Sequence, residues 1–493
     1  MSIQRVVTTS SLSVGILMPR PAINNLRLLT SVSVVWFVVN GLSLFYPHSL
    51  FWDDWLFYAG GEINFSEGGT REWCCWPKSE IENFLLSIHP GSFRFLTFLL
   101  FPLVALVTWK ITSYFDNSFF FKNERLLFVL LVLFLPTNSA RIANITFYYS
   151  TSLLAFAIAT WFWIRLRPYV LLVIAIPLFL YSFRTSSLLV FSLIPALLGW
   201  LVDSREERLD DGPAIVRASI PLLLALVYRV FISDNAVRDG YNEFQFGGVA
   251  RSVLLLTLFV AIYGALFSVR ERLKLSSRAL TQFGFGLLLL WLGAMPYMVV
   301  GHLSSISDWT VNFLPGEGDW HSRHQLLLPF GIALSMIGVW NLLEGKAMLL
   351  LPPVVLAMSA VFGFLYSIEY FVDAKKQDAV VEALRADPYI RDFKVVYLQD
   401  DSSAARLNAR SRQYREYEFN GQLKRALGDD APLFFDESQV VPGTCPNPVA
   451  VPVYRSFARV TNFTKLQTVF GRSVDISLEQ STVLTCLKSE FRQ

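Results

Sequence analysis

The chain has 493 residues, of which 53% are hydrophobic, 15% aromatic and only 16% charged, with a formal net charge of +3. This composition excludes an ordinary soluble enzyme of this length and is typical of a protein that crosses the membrane many times. We therefore expect a lipid bilayer, and no nucleic acid, among its partners.

The apolar residues are concentrated in about eleven segments. These lie near residues 27–46, 93–113, 126–138, 147–164, 169–183, 185–202, 218–232, 250–269, 282–300, 325–343 and 347–370. Several of them, notably 126–138 and 169–183, are shorter than the ~20 residues that a helix needs to cross a bilayer, so the count is open by one or two. The pattern predicts an all-α polytopic membrane bundle over residues 27–370.

The distribution of Lys and Arg predicts the orientation, because short cytoplasmic loops are enriched in both. With residues 1–26 in the cytoplasm and 27–46 as a retained signal anchor, every inner loop holds at least one positive charge. The long polar loops 47–92, 233–249 and 301–324 then lie on the outer face. An odd number of spans also places the C-terminal tail outside.

Two adjacent acids, Asp53 and Asp54, follow the first apolar segment and are flanked by Trp52 and Trp55. An ionisable pair at a membrane boundary is costly to desolvate, which favours a functional role, as a base or as ligands of a divalent cation such as Mg²⁺ or Mn²⁺. The alternative is that the two acids only mark where the chain enters water.

Further ionisable residues stand at the outer ends of spans. The run Asp319, Trp320, His321, Ser322, Arg323 and His324 leads directly into the segment at 325, and Arg141 and Arg184 occupy similar positions. A guanidinium at head-group depth can form a fork of two hydrogen bonds to a lipid-linked phosphate. The two histidines would supply half of a metal site or contact head groups.

From residue 371 the chain becomes polar, which predicts a small soluble α/β domain over 371–493. Phe393–Leu398, Pro432–Phe435 and Val449–Tyr454 have the pattern of short strands, and Ser403–Leu427 contains helix formers. In an oxidising compartment we expect Cys445 and Cys486, the two cysteines of this tail, to form a disulfide. The alternative is that the four cysteines of the chain are unrelated thiols.

None of the common phosphate-binding, dinucleotide-binding, serine-hydrolase or zinc-protease motifs occurs in the sequence. The free energy for any reaction must therefore come with the substrate.

This layout resembles the GT-C class of membrane glycosyltransferases, in which an acidic motif opens the long outer loop after the first span. Asp53-Asp54 matches that motif, Glu80–Phe95 matches the surface helix of the same loop, and the tail resembles the extra domain of many members. Within this class, the layout resembles that of bacterial or phage-borne O-antigen glucosyltransferases, and it resembles protein O-mannosyltransferases more distantly.

The resemblance implies a protein of the bacterial inner membrane that moves a sugar from a polyprenyl-phosphate donor to a surface glycan or a lipid-linked acceptor, with inversion. One carboxylate of the pair would act as general base under Trp52 and Trp55. Arg323, with Arg141 or Arg184, would neutralise the leaving lipid phosphate, and Asp319, Trp320, His321 and His324 would complete the binding site.

Two other functions remain open. A polysaccharide polymerase or ligase would use lipid-diphosphate substrates and rely on the outer arginines. A transporter or flippase would place charges within its spans, and the span interiors here are nearly free of them.

Overall fold

The computed structural model describes most of the membrane domain and part of the tail. The described residues are 22–46, 48–59, 62–63, 84–85, 88–89, 91–116, 118–165, 168–205, 211–232, 244–302, 320–343, 350–393, 395–400, 416–428, 430–434, 449–458 and 476–485.

A helix lies at the position of each predicted apolar segment. The helices are α1 Ala22–Asn40, α2 Ser92–Thr112, α3 Lys122–Phe134, α4 Phe147–Arg165, α5 Pro168–Ser182, α6 Ser187–Phe191, α7 Leu193–Arg205, α8 Asp211–Val227, α9 Phe246–Ser268, α10 Ser277–Val299, α11 Leu328–Leu342, α12 Leu351–Ala386 and, in the tail, α13 Glu416–Leu427. A π-helical turn, Tyr228–Ile232, continues α8. The prediction of a largely helical fold is confirmed.

Five described helices are long and apolar enough to cross a membrane. They are Ser92–Phe115, Asn144–Arg165, Phe246–Ser268, Ser277–Val299 and Leu351–Ala386, each counted with its adjoining turns. Shorter apolar helices occupy Thr30–Asn40, Val173–Ser182, Ser187–Val202, Ala218–Ile232 and Leu328–Leu342. These helices support a membrane protein.

Small residues allow α10 and α11 to pack more closely than the other described helices. A Cβ on Gly331 would lie 2.3 Å from the backbone nitrogen of Leu290, and one on Gly338 would lie 2.5 Å from that of Phe283. Glycine therefore allows the two backbones to touch, as in many membrane helix pairs. This contact fixes the segment that enters α11, which carries Arg323.

The loop 47–92 contains the expected acidic turn. The 3₁₀ helix Trp52–Phe57 leads into a small hairpin of β1 (Tyr58–Ala59) and β2 (Glu62–Ile63). The described residues of the expected surface helix, Phe84, Leu85 and Ile88, have helical backbone, but α2 begins separately at Ser92, after a turn at Gly91. The expected helix Glu80–Phe95 is therefore not one continuous helix.

α12 continues from the bundle into the tail without a break. The tail was expected to begin at residue 371, yet this helix ends only at Ala386. Its second half is buried against the loop 47–92: the Gln377 amide accepts a hydrogen bond from the Leu50 N–H at 3.2 Å and donates one to the Leu50 carbonyl at 2.8 Å. The polar residues after 371 mark a change of surroundings, not the end of the helix.

The described tail contains a four-stranded sheet in the order β4-β3-β5-β6. These strands are β3 Val395–Asp400, β4 Leu433–Phe434, β5 Val449–Ala458 and β6 Ile476–Thr485. β3 is parallel to β4 and to β5, whereas β5 and β6 form a regular antiparallel pair. β6 is absent from our sequence predictions. Apolar side chains of α12 and α13 share a core with Val396 of β3.

Candidate functional site

A polar loop between α3 and α4 is buried among the apolar helices. Pro136 follows the end of α3, and every residue from Leu131 to Asn144 is buried. We call residues 137–144 the polar loop. Its buried polar side chains are Thr137, Asn138, Ser139, Arg141 and Asn144. Polar groups removed from water cost free energy unless they are hydrogen-bonded, so such a loop needs partners.

Several side-chain atoms of the polar loop have no hydrogen-bond partner within the described part of the chain. They are the Thr137 hydroxyl, the side-chain oxygen of Asn138, and both the oxygen and the nitrogen of the Asn144 amide. The Asn144 side chain is fully buried. Each such group costs ~1–3 kcal/mol in an apolar interior. A ligand rich in hydroxyl groups would satisfy both the donors and the acceptors.

Arg141 brings a positive charge into the same loop. Its Nη2 donates to Oδ1 of Asn40 at 2.7 Å, and its guanidinium lies 4.4 Å from the centre of the Trp36 ring. No acid of the described chain pairs with Arg141, and burial lowers the pKa of its guanidinium to about 10, so it still carries its charge at neutral pH. A buried cation without a carboxylate favours an anionic ligand.

Arg94, by contrast, is fully occupied. Its Nε donates to the Ile142 carbonyl at 2.9 Å, Nη1 to the Tyr46 carbonyl at 2.8 Å, and Nη2 to the Ser49 carbonyl at 2.7 Å. This fully buried side chain joins α2 to the segment Tyr46–Ser49 and to the polar loop. Two buried arginines of one site thus have different roles: Arg94 holds the backbone, and Arg141 is available to an anion.

Asp54 links the acidic turn to the polar loop. Its carboxylate accepts backbone N–H bonds from Asn144 at 2.9 Å, Ile145 at 3.0 Å and Phe51 at 3.2 Å. Because both carboxylate oxygens are used and the side chain is 0% exposed, Asp54 acts as an anchor in this arrangement. It is poorly disposed to take a substrate proton or to bind a cation.

Burial dominates the electrostatics of Asp54. Desolvation raises the pKa of its carboxyl group from 3.8 to about 6, while the three N–H donors and the charge of Arg94 oppose that rise. Asp53 lies in the same turn, but its side chain is outside the described residues. Of the predicted acidic pair, Asp53 therefore remains the candidate for the base, and the catalytic role of the pair stays a prediction.

The turn that contains Arg323 packs on the polar loop. In this 3₁₀ helix, Trp320–Gln325, the Ser322 hydroxyl accepts a hydrogen bond from the Ala140 N–H at 2.8 Å and lies 3.0 Å from the Ser139 hydroxyl. Arg323, the next residue, is buried. Two arginines predicted from separate loops thus lie on segments in direct contact.

His324 is also buried, in an aromatic stack. Its ring is nearly parallel to that of His302, with 4.6 Å between centres, and lies 4.8 Å from the ring centre of Tyr297. The Tyr297 hydroxyl in turn donates to Ser187 at 3.0 Å. This stack fixes the entry to α11 against the end of α10.

Trp52 and Trp55 position the acidic turn. Trp52 has a positive φ of 50°, which is unusual for a bulky residue and indicates a constrained turn. A Cβ on Gly421 of α13 would lie 2.3 Å from the Trp55 ring, so the tail helix packs directly on the turn. The tail therefore helps to hold the segment that presents Asp53.

The other predicted site residues either have contacts elsewhere in the bundle or lie outside the described residues. Arg184 lies 5.0 Å above the Tyr181 ring and close to Tyr228. Outside the described residues lie the side chains of Trp320 and His321 and the residues Asp319, Cys445 and Cys486. The disulfide therefore stays a prediction.

The metal site also stays a prediction. Within the described ranges, which do not include the Asp53 side chain, no three His, Cys, Asp or Glu side chains are close enough to share an ion.

Four buried polar residues of the polar loop were missed by the sequence analysis: Thr137, Asn138, Ser139 and Asn144. The available signal was the polar run Thr-Asn-Ser-Ala-Arg-Ile-Ala-Asn between two apolar segments. It resembles any short loop, because only packing shows that it is buried.

Comparison of the sequence with known protein families and with curated proteins found no match.

Proposed function

We propose that this chain is a membrane glycosyltransferase that moves a sugar from a polyprenyl-phosphate donor to a surface glycan or a lipid-linked acceptor. The observation that carries the proposal is Arg141, a buried cation without a carboxylate partner among the described residues. It lies in a loop where side-chain atoms of Thr137, Asn138 and Asn144 have no hydrogen-bond partner within the described part of the chain. An anionic group attached to a hydroxyl-rich group matches this combination.

The proposed topology has eleven spans, with the N-terminus in the cytoplasm and the polar loop, the acidic turn and the α/β tail on the outer face. The supporting observation is that a helix stands at each of the eleven apolar segments. The protein would then reside in a bacterial inner membrane and meet a lipid-linked donor directly from the bilayer.

In the proposed reaction, Asp53 removes the proton from an acceptor hydroxyl while the oxygen of that hydroxyl forms a bond to the anomeric carbon of the sugar. The bond between that carbon and the phosphate oxygen breaks, and the electron pair leaves with the polyprenyl phosphate. Arg141, with Arg323 from the turn that packs on the polar loop, would stabilise the charge that grows on the phosphate. Asp54 and Arg94 would hold the backbone of the site in place.

A polymerase or ligase that uses lipid diphosphates is the second candidate. The supporting observation is that the turn carrying Arg323 packs on the loop carrying Arg141, because cations on two adjoining segments would suit a diphosphate.

The test is transfer of labelled sugar by purified protein in detergent, with polyprenyl-monophosphate and polyprenyl-diphosphate sugars as alternative donors and with or without a chelator. We expect turnover with the monophosphate and its loss in Asp53→Asn. Turnover with the diphosphate alone would favour the ligase, and no turnover with either donor would contradict both. A loss of activity with chelator would show that a divalent cation takes part.

A further inference from the structure

An apolar cavity of about 300 Å³ lies among α2, α4, α7, α10 and α11. Its walls include Phe115, Phe156, Phe191, Leu198 and Phe285. The volume is at the lower end of the range typical of small-molecule sites. Its lining contains no residue of the polar loop or of the Trp320–Gln325 turn, so it is separate from the site described above.

The hydroxyl groups on the cavity wall give the cavity little polar character. Thr112 donates to the Thr108 carbonyl at 2.9 Å, Thr160 to the Phe156 carbonyl at 2.8 Å, and Thr281 to the Ser277 carbonyl at 2.9 Å. Because these donors are satisfied within their own helices, the cavity suits a hydrocarbon chain.

One charged residue, Arg278, lines the cavity. Its Nη2 pairs with Glu124 at 3.0 Å, and its guanidinium lies 3.5 Å from the centre of the Phe121 ring. Its Nη1 is buried and has no hydrogen-bond partner among the described residues. A hydrogen-bond donor of a cation is thus available beside an apolar cavity.

The charge of Glu124 is already shared among several donors. Besides Arg278, its carboxylate accepts hydrogen bonds from the Phe121 N–H at 2.9 Å, from Gln282 at 3.1 Å and from Asn341 at 3.0 Å. Arg278 is therefore held in place by this network while Nη1 remains available to a second anion. Charge-assisted bonds of this kind are the stronger class of hydrogen bond.

We propose that this cavity binds one acyl chain of an anionic phospholipid, with the acidic head group on Arg278. Glu124 stands near the start of α3 and the polar loop follows its end, so the head group would lie about 18 Å from that loop along the helix axis. In the proposed topology this is the inner leaflet. The inference concerns lipid binding and holds whether or not the chain transfers sugars.

Native mass spectrometry of the full-length protein tests this directly, with dioleoyl-phosphatidylglycerol and dioleoyl-phosphatidylcholine as probes with identical chains. We expect one phosphatidylglycerol bound at least about ten-fold more tightly than phosphatidylcholine. Arg278→Gln should reduce the affinity for phosphatidylglycerol to that for phosphatidylcholine. Arg272→Gln, an exposed arginine in the loop before α10, is the matched control and should keep the preference.

A second variant tests the cavity itself without touching Arg278. Ala157 is buried on the cavity wall, and Ala157→Phe should fill the space and remove both lipids while the protein stays monodisperse. The proposal is overturned if the wild-type protein binds both lipids equally, or if Ala157→Phe retains the bound lipid. It is also overturned if Arg141→Gln, and not Arg278→Gln, removes the bound phosphatidylglycerol. Arg278-dependent binding of oleate alone, without phosphatidylglycerol, would likewise overturn the assignment to a phospholipid.

Discussion

The carboxylate of Asp54 accepts a hydrogen bond from the backbone N–H of Asn144 at 2.9 Å, although the two residues are 90 positions apart. This bond joins the acidic turn after the first span to the polar loop before α4. The candidate base, Asp53, and the candidate phosphate ligand, Arg141, therefore belong to one assembly. A substitution that breaks this hydrogen bond would therefore disturb the positions of Asp53 and Arg141 without removing either side chain.

Arg141 should be required for donor binding and not for folding. Arg141→Gln removes a buried charge that no described acid compensates, so we expect the thermal stability to be unchanged or higher. Transfer from the donor should fall by about 10²-fold or more, because the stabilisation of the leaving phosphate is lost. Kinetics with purified protein, together with its melting temperature in detergent, measure both effects.

Arg94 provides the matched control, since it is an equally buried arginine with its donors occupied. Arg94→Gln leaves several buried carbonyl groups without partners, and we expect the free energy of unfolding to fall by about 3 kcal/mol or more. An Arg94→Gln protein with normal stability, or an Arg141→Gln protein that is the less stable of the two, would contradict this division of roles.

Asp53 and Asp54 should respond differently to replacement by Asn. Asp53→Asn keeps the size of the side chain but cannot accept a proton, so turnover should fall by ~10²–10⁴-fold with the fold intact. Asp54→Asn replaces one of the two acceptor oxygens by an NH2 group, so at least one of the three backbone N–H groups loses its acceptor and we expect a loss of stability before any loss of chemistry. Normal turnover in Asp53→Asn would remove the acidic turn from the mechanism.

The raised pKa of Asp54 predicts a dependence of stability on pH. Between its unfolded value of 3.8 and its folded value of about 6, the folded protein holds the proton more tightly than the unfolded chain. The free energy of unfolding should therefore be higher below about pH 4 and decline by about 3 kcal/mol as the pH rises through 6. Melting curves from pH 4 to 7 should show this decline in wild type and not in Asp54→Asn.

Gly421→Ala tests whether the tail helix supports the acidic turn. The added Cβ would meet the buried Trp55 ring at 2.3 Å, so α13 must shift away from residues 52–57. We expect faster proteolysis of the tail and a lower transfer rate. Gly264→Ala, where nothing lies within 4 Å of the added atom, serves as the control. Equal protease resistance in all three proteins would show that the turn does not depend on the tail.

The cysteines of the tail make a separate prediction. Cys445 and Cys486 should be found as a disulfide by alkylation and mass spectrometry of protein purified without reductant, because the proposed topology places the tail in an oxidising space. Two alkylated thiols would contradict the pairing.

The sequence by itself determined the features that depend on local pattern. Apolar runs place the membrane helices, since a helix in lipid must satisfy its own backbone and present apolar side chains all round. The same reasoning predicted several elements of the polar tail. It placed the tail boundary at 371 although α12 continues to Ala386, because polar composition reports the surroundings of a helix and not its length.

Only the tertiary structure separated residues that look alike in sequence. Arg94, Arg141, Arg184 and Arg323 all stand at the ends of apolar segments. Their roles depend on partners far along the chain: carbonyl groups for Arg94, an amide and an indole ring for Arg141, two tyrosines for Arg184, and the packing of Ser322 on Ala140 for Arg323. Burial and pairing arise from packing between segments, and no local pattern contains them.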